Sequence, residues 1–204
     1  MKIICIGRNY AEHAKELGNT IQAEPVFFCK PDSAILPKGN PFYIPEWTKN
    51  VNYEIELVLR IHRLGKHIAV EFANRYYDAI GLGIDFTARD VQEELKKKGL
   101  PWEKAKGFDG SAVLTQNFIP VEKFESFNNI EFSLKQNGNT VQLGNSSNMI
   151  HSFDQIIAYV SQYMTLKIGD FIYTGTPAGV GPVAIGDELK GYIGEQEMLK
   201  VKVK

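Results

Sequence analysis

Glycine and proline residues divide this chain into many short apolar runs, and this division limits the possible folds more than any other feature. The runs are rich in β-branched and aromatic side chains, which favours strands. They do not alternate regularly with helical segments, so a parallel sheet built from strand–helix–strand units is disfavoured. We expect a mainly β (α+β) protein, a mixed β-roll with a few short helices, in which residues 1–204 form a single domain. The predicted strands span residues 2–6, 26–29, 51–61, 77–84, 130–136, 140–143, 171–174, 188–193 and 198–203.

Three segments carry start signals for a helix. The first spans residues 10–17 and follows Asn9, a favourable N-cap. The second begins after Thr87 and stops at Gly99, and the third begins at Ser152. Both Thr87 and Ser152 have an acidic or amide side chain three positions later, the pattern of a capping box.

The bulk properties exclude several classes of function. A net charge of -1 provides no field for a polyanion, so nucleic-acid binding is not expected. The sequence has no run of about 20 apolar residues, the length of a membrane span, and its apolar start is too short for a signal peptide. Cys5 and Cys29 lie in apolar strand-like runs, which is typical of buried, reduced thiols. We therefore expect a cytoplasmic protein that acts on a small molecule.

Two glutamates lie one residue apart in the strand predicted over residues 51–61. Because side chains alternate across a strand, Glu54 and Glu56 should project from the same face. Two such charges repel each other unless water or a cation separates them. The face could be solvated, or the pair could be hard oxygen ligands for Mg²⁺ or Mn²⁺. The spacing alone leaves both interpretations open.

Asp85 ends an apolar run that leads into the second predicted helix. Strand ends that lead into helices tend to display ligand-binding groups, although an aspartate there also complements the helix dipole. Together with Glu54 and Glu56, it would balance a dication and leave one negative charge. A keto acid could then fill the remaining coordination positions. The spacing does not show whether the three carboxylates meet.

Two pairs of residues share a helix face. His13 and Glu16 lie three apart on the first predicted helix, so the carboxylate could fix the histidine as a general base acting on water. A simple surface pair is the alternative. Arg89 and Gln92 lie one turn apart on the second helix, where both could reach a substrate carboxylate.

Two other segments could bind an anion. Lys104 and Lys106 follow Trp102 in a predicted loop, and a lysine there could stabilise a developing oxyanion. Residues 174–182 form a glycine-rich turn that could offer backbone N–H groups and a hydroxyl. This turn lacks the lysine of a P-loop and the spacing of a dinucleotide fingerprint, so no nucleotide site is indicated.

Together these segments resemble the fumarylacetoacetate hydrolase superfamily, specifically its short acylpyruvase and oxaloacetate decarboxylase branch. Each motif is weak by itself, but their number and order cover nearly the whole chain. They are GRNYAEH (7–13), FCKP (28–31), YEIEL (53–57), DFTARDVQ (85–92), KGLPW (98–102), KGFD (106–109) and TGTP (174–177).

The resemblance implies a β-roll of the fumarylacetoacetate hydrolase C-terminal domain type, usually assembled as a homodimer. It implies that Glu54, Glu56 and Asp85 bind Mg²⁺ or Mn²⁺. It also implies that His13 and Glu16 form a base dyad on a mobile lid. The positions that match the family's substrate contacts are Lys106, Arg89, Gln92 and Thr176.

The resemblance further implies metal-dependent cleavage of a C–C bond in a short 2-keto acid. The reaction would be acylpyruvate hydrolysis, oxaloacetate decarboxylation or both, with a pyruvate enolate bound to the cation. In hydrolysis, His13 would activate water and Lys106 would stabilise the oxyanion. The main alternative is an isomerase or tautomerase of a 2-oxo-enoic dicarboxylic acid, and a more remote one is a non-enzymatic, metal-stabilised interaction protein.

Two departures limit what the resemblance implies, and one of them is His151, which follows Met149 and Ile150 where some relatives carry phenylalanine. The chain lacks the additional N-terminal domain of the true fumarylacetoacetate hydrolases, so fumarylacetoacetate is not the expected substrate. For Arg8, Asn9 and Lys30 we expect structural roles only.

Overall fold

The computed structural model describes residues 1–12 and 23–204. The strands in this part of the chain are β1 (Ile3–Gly7), β2 (Val26–Lys30), β3 (Val51–Tyr53), β4 (Ile55–Ile61), β5 (Tyr77–Asp85), β6 (Thr87–Ala88), β7 (Ala112–Leu114), β8 (Ile119–Pro120), β9 (Glu131–Gln136), β10 (Asn139–Asn145), β11 (Phe171–Tyr173), β12 (Gly181–Pro182), β13 (Glu188–Ile193) and β14 (Gln196–Lys202). The α-helices are α1 (Arg89–Lys98), α2 (Glu103–Lys106) and α3 (Phe153–Tyr163), and the 3-10 turns are Asp32–Ala34, Val70–Arg75, Val121–Lys123 and Ser146–Asn148.

The described strands form three sheets. The largest has the order β2-β1-β11-β4-β5-β7, with β8 also paired to β5. The second has the order β10-β9-β13-β14, and the smallest has the order β12-β3-β6. β1 pairs with β11 in parallel, whereas the other pairs of these strands are antiparallel. The predicted mainly β class with a mixed sheet and few short helices is therefore confirmed.

The central strand β4 pairs with β11 and β5 on its two edges and is buried on both faces. One face contributes Leu57 and Leu59 to the main apolar core. On the other face, Val58 packs in a smaller cluster that includes Cys5 and Tyr173. Glu56 alternates with Leu57 and so lies on the face of Val58, in surroundings that are poor in water.

The predicted strand over residues 51–61 is broken at Glu54. Val51–Tyr53 pairs with β6 and β12, whereas Ile55–Ile61 pairs with β5 and β11. The chain thus changes sheets at Glu54, which belongs to neither strand. The prediction of one continuous strand was wrong, because strand pairing partners far away in the sequence decide where this strand is interrupted.

The three predicted helices had different outcomes. For α3, the capping box at Ser152 is confirmed: its hydroxyl accepts from the Gln155 N–H, and the Gln155 amide accepts from the Ser152 N–H. The capping box at Thr87 was wrong, because Thr87 lies in β6 and Ala88 precedes the helix without a side-chain cap. Of the first predicted helix, residues 13–17 lie outside the described residues.

The two cysteines are free in the structure, and Cys5 is buried while Cys29 is half-buried. Burial raises the pKa of both thiols, which keeps them protonated. Among the described residues, no helix is both long enough and apolar enough to cross a membrane.

Candidate metal centre

Three carboxylates meet where β3, β4 and β5 come together. Asp85 ends β5, Glu56 lies on β4 opposite Gly83, and Glu54 joins β3 to β4. The Asp85 N–H donates to the Glu54 carbonyl over 2.8 Å, which locks the two backbones side by side. One oxygen from each side chain lies within 4.8 Å of the others, and all three residues are buried. We call Glu54, Glu56 and Asp85 the acidic cluster.

Three buried cations surround the acidic cluster. The Lys106 ammonium lies 2.7 Å from both Glu54 Oε2 and Asp85 Oδ2. Arg89 Nη2 lies 2.5 Å from Glu54 Oε1, and Lys30 Nζ lies 2.7 Å from Asp85 Oδ1. Buried charges are strongly destabilising unless they are paired, so these contacts explain how Glu54 and Asp85 can lie side by side in the interior.

Lys106 lies at the end of the short helix α2 and reaches back to the strands. Its Nζ also donates to the Thr87 hydroxyl over 2.6 Å. Burial opposes the ammonium charge, but Asp85 and Glu54 outweigh it and raise the pKa of Lys106 above its usual value. Lys106 is therefore a charged hydrogen-bond donor beside the acidic cluster, as an oxyanion-stabilising group must be.

Glu56 is held differently from the other two carboxylates. Its Oε2 accepts a 2.7 Å hydrogen bond from the backbone N–H of Gly175, in the glycine-rich turn after β11. Burial, followed by the neighbouring charges of Asp85 and Glu54, raises the pKa of Glu56 well above its usual value. A nearby dication would favour the charged form of this carboxylate.

Hard carboxylate oxygens are the donors that Mg²⁺ and Mn²⁺ prefer, and the acidic cluster supplies them from three residues. The residues present therefore fit such a cation. They do not resemble a zinc or copper site, since no cysteine or histidine joins the group within the described residues.

The predicted substrate contacts surround the same cavity. Arg89, Gln92, Lys106 and Thr176 line it together with the acidic cluster. Arg89 Nη1 donates to the Gln92 amide oxygen over 2.7 Å, as their one-turn spacing suggests. The structure thus brings together the predicted ligands and substrate contacts. His13 and Glu16, the predicted base dyad, lie outside the described residues.

Lys30 is a member of this site that the sequence did not reveal. We expected a structural role for Lys30, and its ammonium forms an ion pair with Asp85 and donates to the hydroxyl and carbonyl of Ser111. The signal available in the sequence was a lysine at the end of an apolar, strand-like run. Such a lysine needs a buried anion if it points inward.

Gln142 is a second missed residue, and it supports the site from β10. Its amide oxygen accepts from the N–H of Ile55, the residue between the two glutamates, over 2.9 Å. Its amide nitrogen donates to the Thr176 hydroxyl over 2.9 Å and to the Pro177 carbonyl over 3.0 Å. One side chain therefore connects the glutamate strand to the glycine-rich turn.

Comparison with known proteins identifies what this arrangement is similar to. The profile of the family described as "Fumarylacetoacetate (FAA) hydrolase C-terminal" matches residues 2–204. A relative from Mus musculus named "Oxaloacetate tautomerase FAHD1, mitochondrial" is 44% identical over 202 residues, which are 99% of this chain and 91% of that protein. A relative from Dictyostelium discoideum named "Oxaloacetate decarboxylase, mitochondrial" is 43% identical over 93% of this chain and 87% of that protein.

A solved structure gives a similar result. The fumarylpyruvate hydrolase from Pseudomonas aeruginosa, in complex with Mn²⁺ and pyruvate, superposes with a TM-score of 0.93 at 35% sequence identity. The match covers 100% of this chain and 89% of that one.

Proposed function

Since the chain belongs to the fumarylacetoacetate hydrolase C-terminal family, we propose that it is a Mg²⁺- or Mn²⁺-dependent enzyme that converts a short 2-oxo acid to its enolate. The substrate we propose is oxaloacetate, and the reaction is its keto–enol tautomerisation. The observation that carries the proposal is the convergence of Glu54, Glu56 and Asp85 beside the charged Lys106.

The relatives support both the substrate and the cation. Oxaloacetate appears in the names of relatives that are 43% to 44% identical over nearly the whole chain. The Pseudomonas aeruginosa neighbour was solved with Mn²⁺ and pyruvate, a divalent cation and a 2-oxo acid together. The acidic cluster offers the donor set that such a cation prefers.

Glu54, Glu56 and Asp85 would hold the cation, which when bound supplies a Lewis acid that favours loss of a proton next to the 2-oxo group. The three N–H groups of Lys106 point at Glu54, Asp85 and Thr87. With the carboxylates holding the cation, Lys106 would redirect one of these N–H groups to the substrate oxygen that gains negative charge. This group is preorganised, since its ammonium is already fixed by the Thr87 hydroxyl.

Other residues would orient the substrate. Arg89 and Gln92 are hydrogen-bonded to each other in the cavity wall and would position a substrate carboxylate. The Thr176 hydroxyl, held by Gln142, would add a further hydrogen bond. His13, assisted by Glu16, stays the predicted base that moves the proton.

Cleavage of a C–C bond is the second candidate, favoured by the names of the decarboxylase and fumarylpyruvate hydrolase relatives. Loss of CO₂ from oxaloacetate leaves the pyruvate enolate and needs no water. Hydrolysis of an acylpyruvate adds one water and yields a carboxylic acid and pyruvate. Both use the same stabilisation of an enolate, so the same residues would serve.

The test is a panel of oxaloacetate, acetylpyruvate and fumarylpyruvate, each incubated with Mg²⁺, Mn²⁺ or a chelator. Enol absorbance and product mass separate the reactions, because tautomerisation leaves the mass unchanged, decarboxylation removes CO₂ and hydrolysis adds water. We expect metal-dependent tautomerisation of oxaloacetate. If no substrate reacts faster with the metal-loaded protein than with the metal alone, the proposal is wrong.

The homodimer and the cytoplasmic location stay predictions. Sedimentation of the purified protein would test the first, and fractionation of the cells that make it would test the second.

A further inference from the structure

Arg8, one of the residues that line the cavity, has an unusual backbone conformation. Its φ is 61°, in the left-handed region that residues other than glycine rarely adopt. Strained residues of this kind concentrate at functional sites, where the surrounding structure holds them in place. Arg8 directly follows β1, and its side chain lines the cavity that contains the acidic cluster.

The hydrogen bonds of the next residue, Asn9, hold the backbone that follows Arg8 in place. The Asn9 amide donates to the Thr174 carbonyl over 2.8 Å and accepts from the His151 N–H over 2.8 Å. The Asn9 carbonyl accepts from the Ile150 N–H over 2.8 Å. Arg8 is therefore held between β1 and a firmly bonded asparagine, so its position in the cavity wall is built into the fold.

Within the described residues, the guanidinium of Arg8 forms no ion pair. Its Nε is buried without a hydrogen bond, and no carboxylate of residues 1–12 or 23–204 lies within ion-pair distance of it. In contrast, Arg89, Lys106 and Lys30 all bond to the acidic cluster. A buried donor without a partner is costly, which indicates that a ligand supplies the partner.

Lys96 lies in the same part of the cavity wall. Its Nζ lies 5.5 Å from the centre of the Trp102 ring, and it has no ion pair within the described part of the chain. Burial, then the charges of Arg89 and Arg8, lower the pKa of Lys96. Arg8 and Lys96 thus provide two positive charges in the cavity wall that form no ion pair with the acidic cluster.

We propose that Arg8, assisted by Lys96, binds a second carboxylate at the far end of the substrate and thereby selects dicarboxylic 2-oxo acids over 2-oxo acids with a neutral acyl end. This inference rests on the proposed function, because it assumes that the 2-oxo acid group binds beside the acidic cluster. A guanidinium suits a carboxylate, since its planar N–H groups can donate two parallel hydrogen bonds. A substrate with a neutral end would leave the buried Nε of Arg8 unpaired.

The test compares oxaloacetate with acetylpyruvate, which has a neutral acyl end, for the wild type and Arg8→Gln. We expect the ratio of kcat/KM for oxaloacetate to kcat/KM for acetylpyruvate to fall roughly 30-fold in the variant, mainly through KM. Arg8→Lys should restore part of this preference, because it keeps the charge. The matched control is Lys97→Gln, which removes one positive charge from an exposed position of α1 and should leave the ratio unchanged.

A binding measurement tests the inference without turnover. Calorimetric titration of 2-oxoglutarate and 2-oxobutyrate into the Mn²⁺-loaded wild type should show tighter binding of the dicarboxylate, and Arg8→Gln should remove the difference. Equal losses for both substrates in Arg8→Gln, or equal binding of the two acids by the wild type, would overturn the inference. If the wild type turns over neither substrate but prefers the dicarboxylate in binding, the proposed function fails and the role of Arg8 stands.

Discussion

The ammonium of Lys30 lies 2.7 Å from Asp85 Oδ1, and both side chains are buried. The same ammonium donates to the Ser111 carbonyl over 3.1 Å and to its hydroxyl over 3.0 Å. Lys30 therefore anchors the end of β5 to the segment that follows α2. It also supplies the positive charge that one oxygen of Asp85 requires in the interior.

The first prediction concerns the stability that depends on this pair. Lys30→Met should lower the free energy of unfolding by about 3–5 kcal/mol, because the buried Asp85 carboxylate would keep only one of its two cationic partners, Lys106. Urea unfolding measures the change. The exposed Lys98→Met should leave the midpoint nearly unchanged, since the ion pair of Lys98 is with the exposed Glu94.

A second substitution identifies the cause of that loss. Asp85→Asn in the Lys30→Met background should recover part of the stability, because no uncompensated charge is left in the interior. The effect of Asp85→Asn on the free energy of unfolding is measured in the wild type and in Lys30→Met. If the substitution destabilises both proteins equally, the two side chains are not coupled and this explanation is wrong.

The second prediction concerns metal binding by Glu56. A cation present at 100 times its Kd should stabilise the wild type by about 2.7 kcal/mol, and Glu56→Gln should lose most of this gain. Without metal, the variant should be at least as stable as the wild type, because burial disfavours the charged carboxylate. Melting temperatures with and without Mn²⁺ measure both effects.

The control for this prediction is Glu71→Gln, an exposed position outside the acidic cluster. It should keep the full stabilisation by Mn²⁺. Unchanged stabilisation of Glu56→Gln would show that this carboxylate is not a ligand.

The third prediction concerns the stability that Asp90 provides at neutral pH. Burial opposes its charge, but hydrogen bonds from the Thr48 hydroxyl and the backbone N–H groups of Lys49 and Val91 outweigh it and lower the pKa of Asp90. A lowered folded pKa gives stability that is present above the unfolded pKa of about 3.9 and is lost as pH falls through the folded value. Asp90→Asn should thus be less stable than the wild type at pH 7.

The measurement is urea unfolding of both proteins between pH 7 and pH 3. The two stability curves should approach each other as the pH falls below about 4. If the difference in stability between the wild type and Asp90→Asn stays constant from pH 7 to pH 3, the charge of Asp90 does not contribute to stability. The effect should also extend to the site, because Asp90 anchors the start of the helix that carries Arg89 and Gln92.

Part of the site could be predicted because it depends on local patterns. The alternation of Glu54 and Glu56 and the strand end at Asp85 are visible within a few residues, and the motifs they form resemble a known family. The one-turn spacing of Arg89 and Gln92 is equally local, and their hydrogen bond follows from it.

The remaining parts depend on contacts between distant segments. Lys30 meets Ser111 across 81 positions, and Gln142 meets Ile55 across 87, so no local pattern indicates either contact. Strands β6, β7, β8 and β12 have only two or three residues, too short for a periodic signal. The pairing of β6 and β12 with β3 decides where the predicted strand breaks at Glu54.

The last prediction concerns Gly175, which has a left-handed backbone conformation and is hydrogen-bonded to the acidic cluster. Its φ is +103°, and an added Cβ would lie 2.7 Å from the Asn9 Cβ, while its N–H donates to Glu56. Gly175→Ala should therefore move the turn, lower the free energy of unfolding by about 1–3 kcal/mol and weaken Mn²⁺ binding, because Glu56 loses its backbone donor. Calorimetric titration with Mn²⁺ and urea unfolding measure the two effects.

Gly186→Ala is the matched control, since Gly186 has a similar φ of +98° but no atom within 4 Å of an added Cβ. Both variants carry the same backbone strain, so the difference between them isolates the contact with Asn9 and the hydrogen bond to Glu56. We expect Gly186→Ala to lose stability but to bind Mn²⁺ like the wild type. Equal Mn²⁺ affinity in the two variants would show that the turn does not hold Glu56 in its binding position.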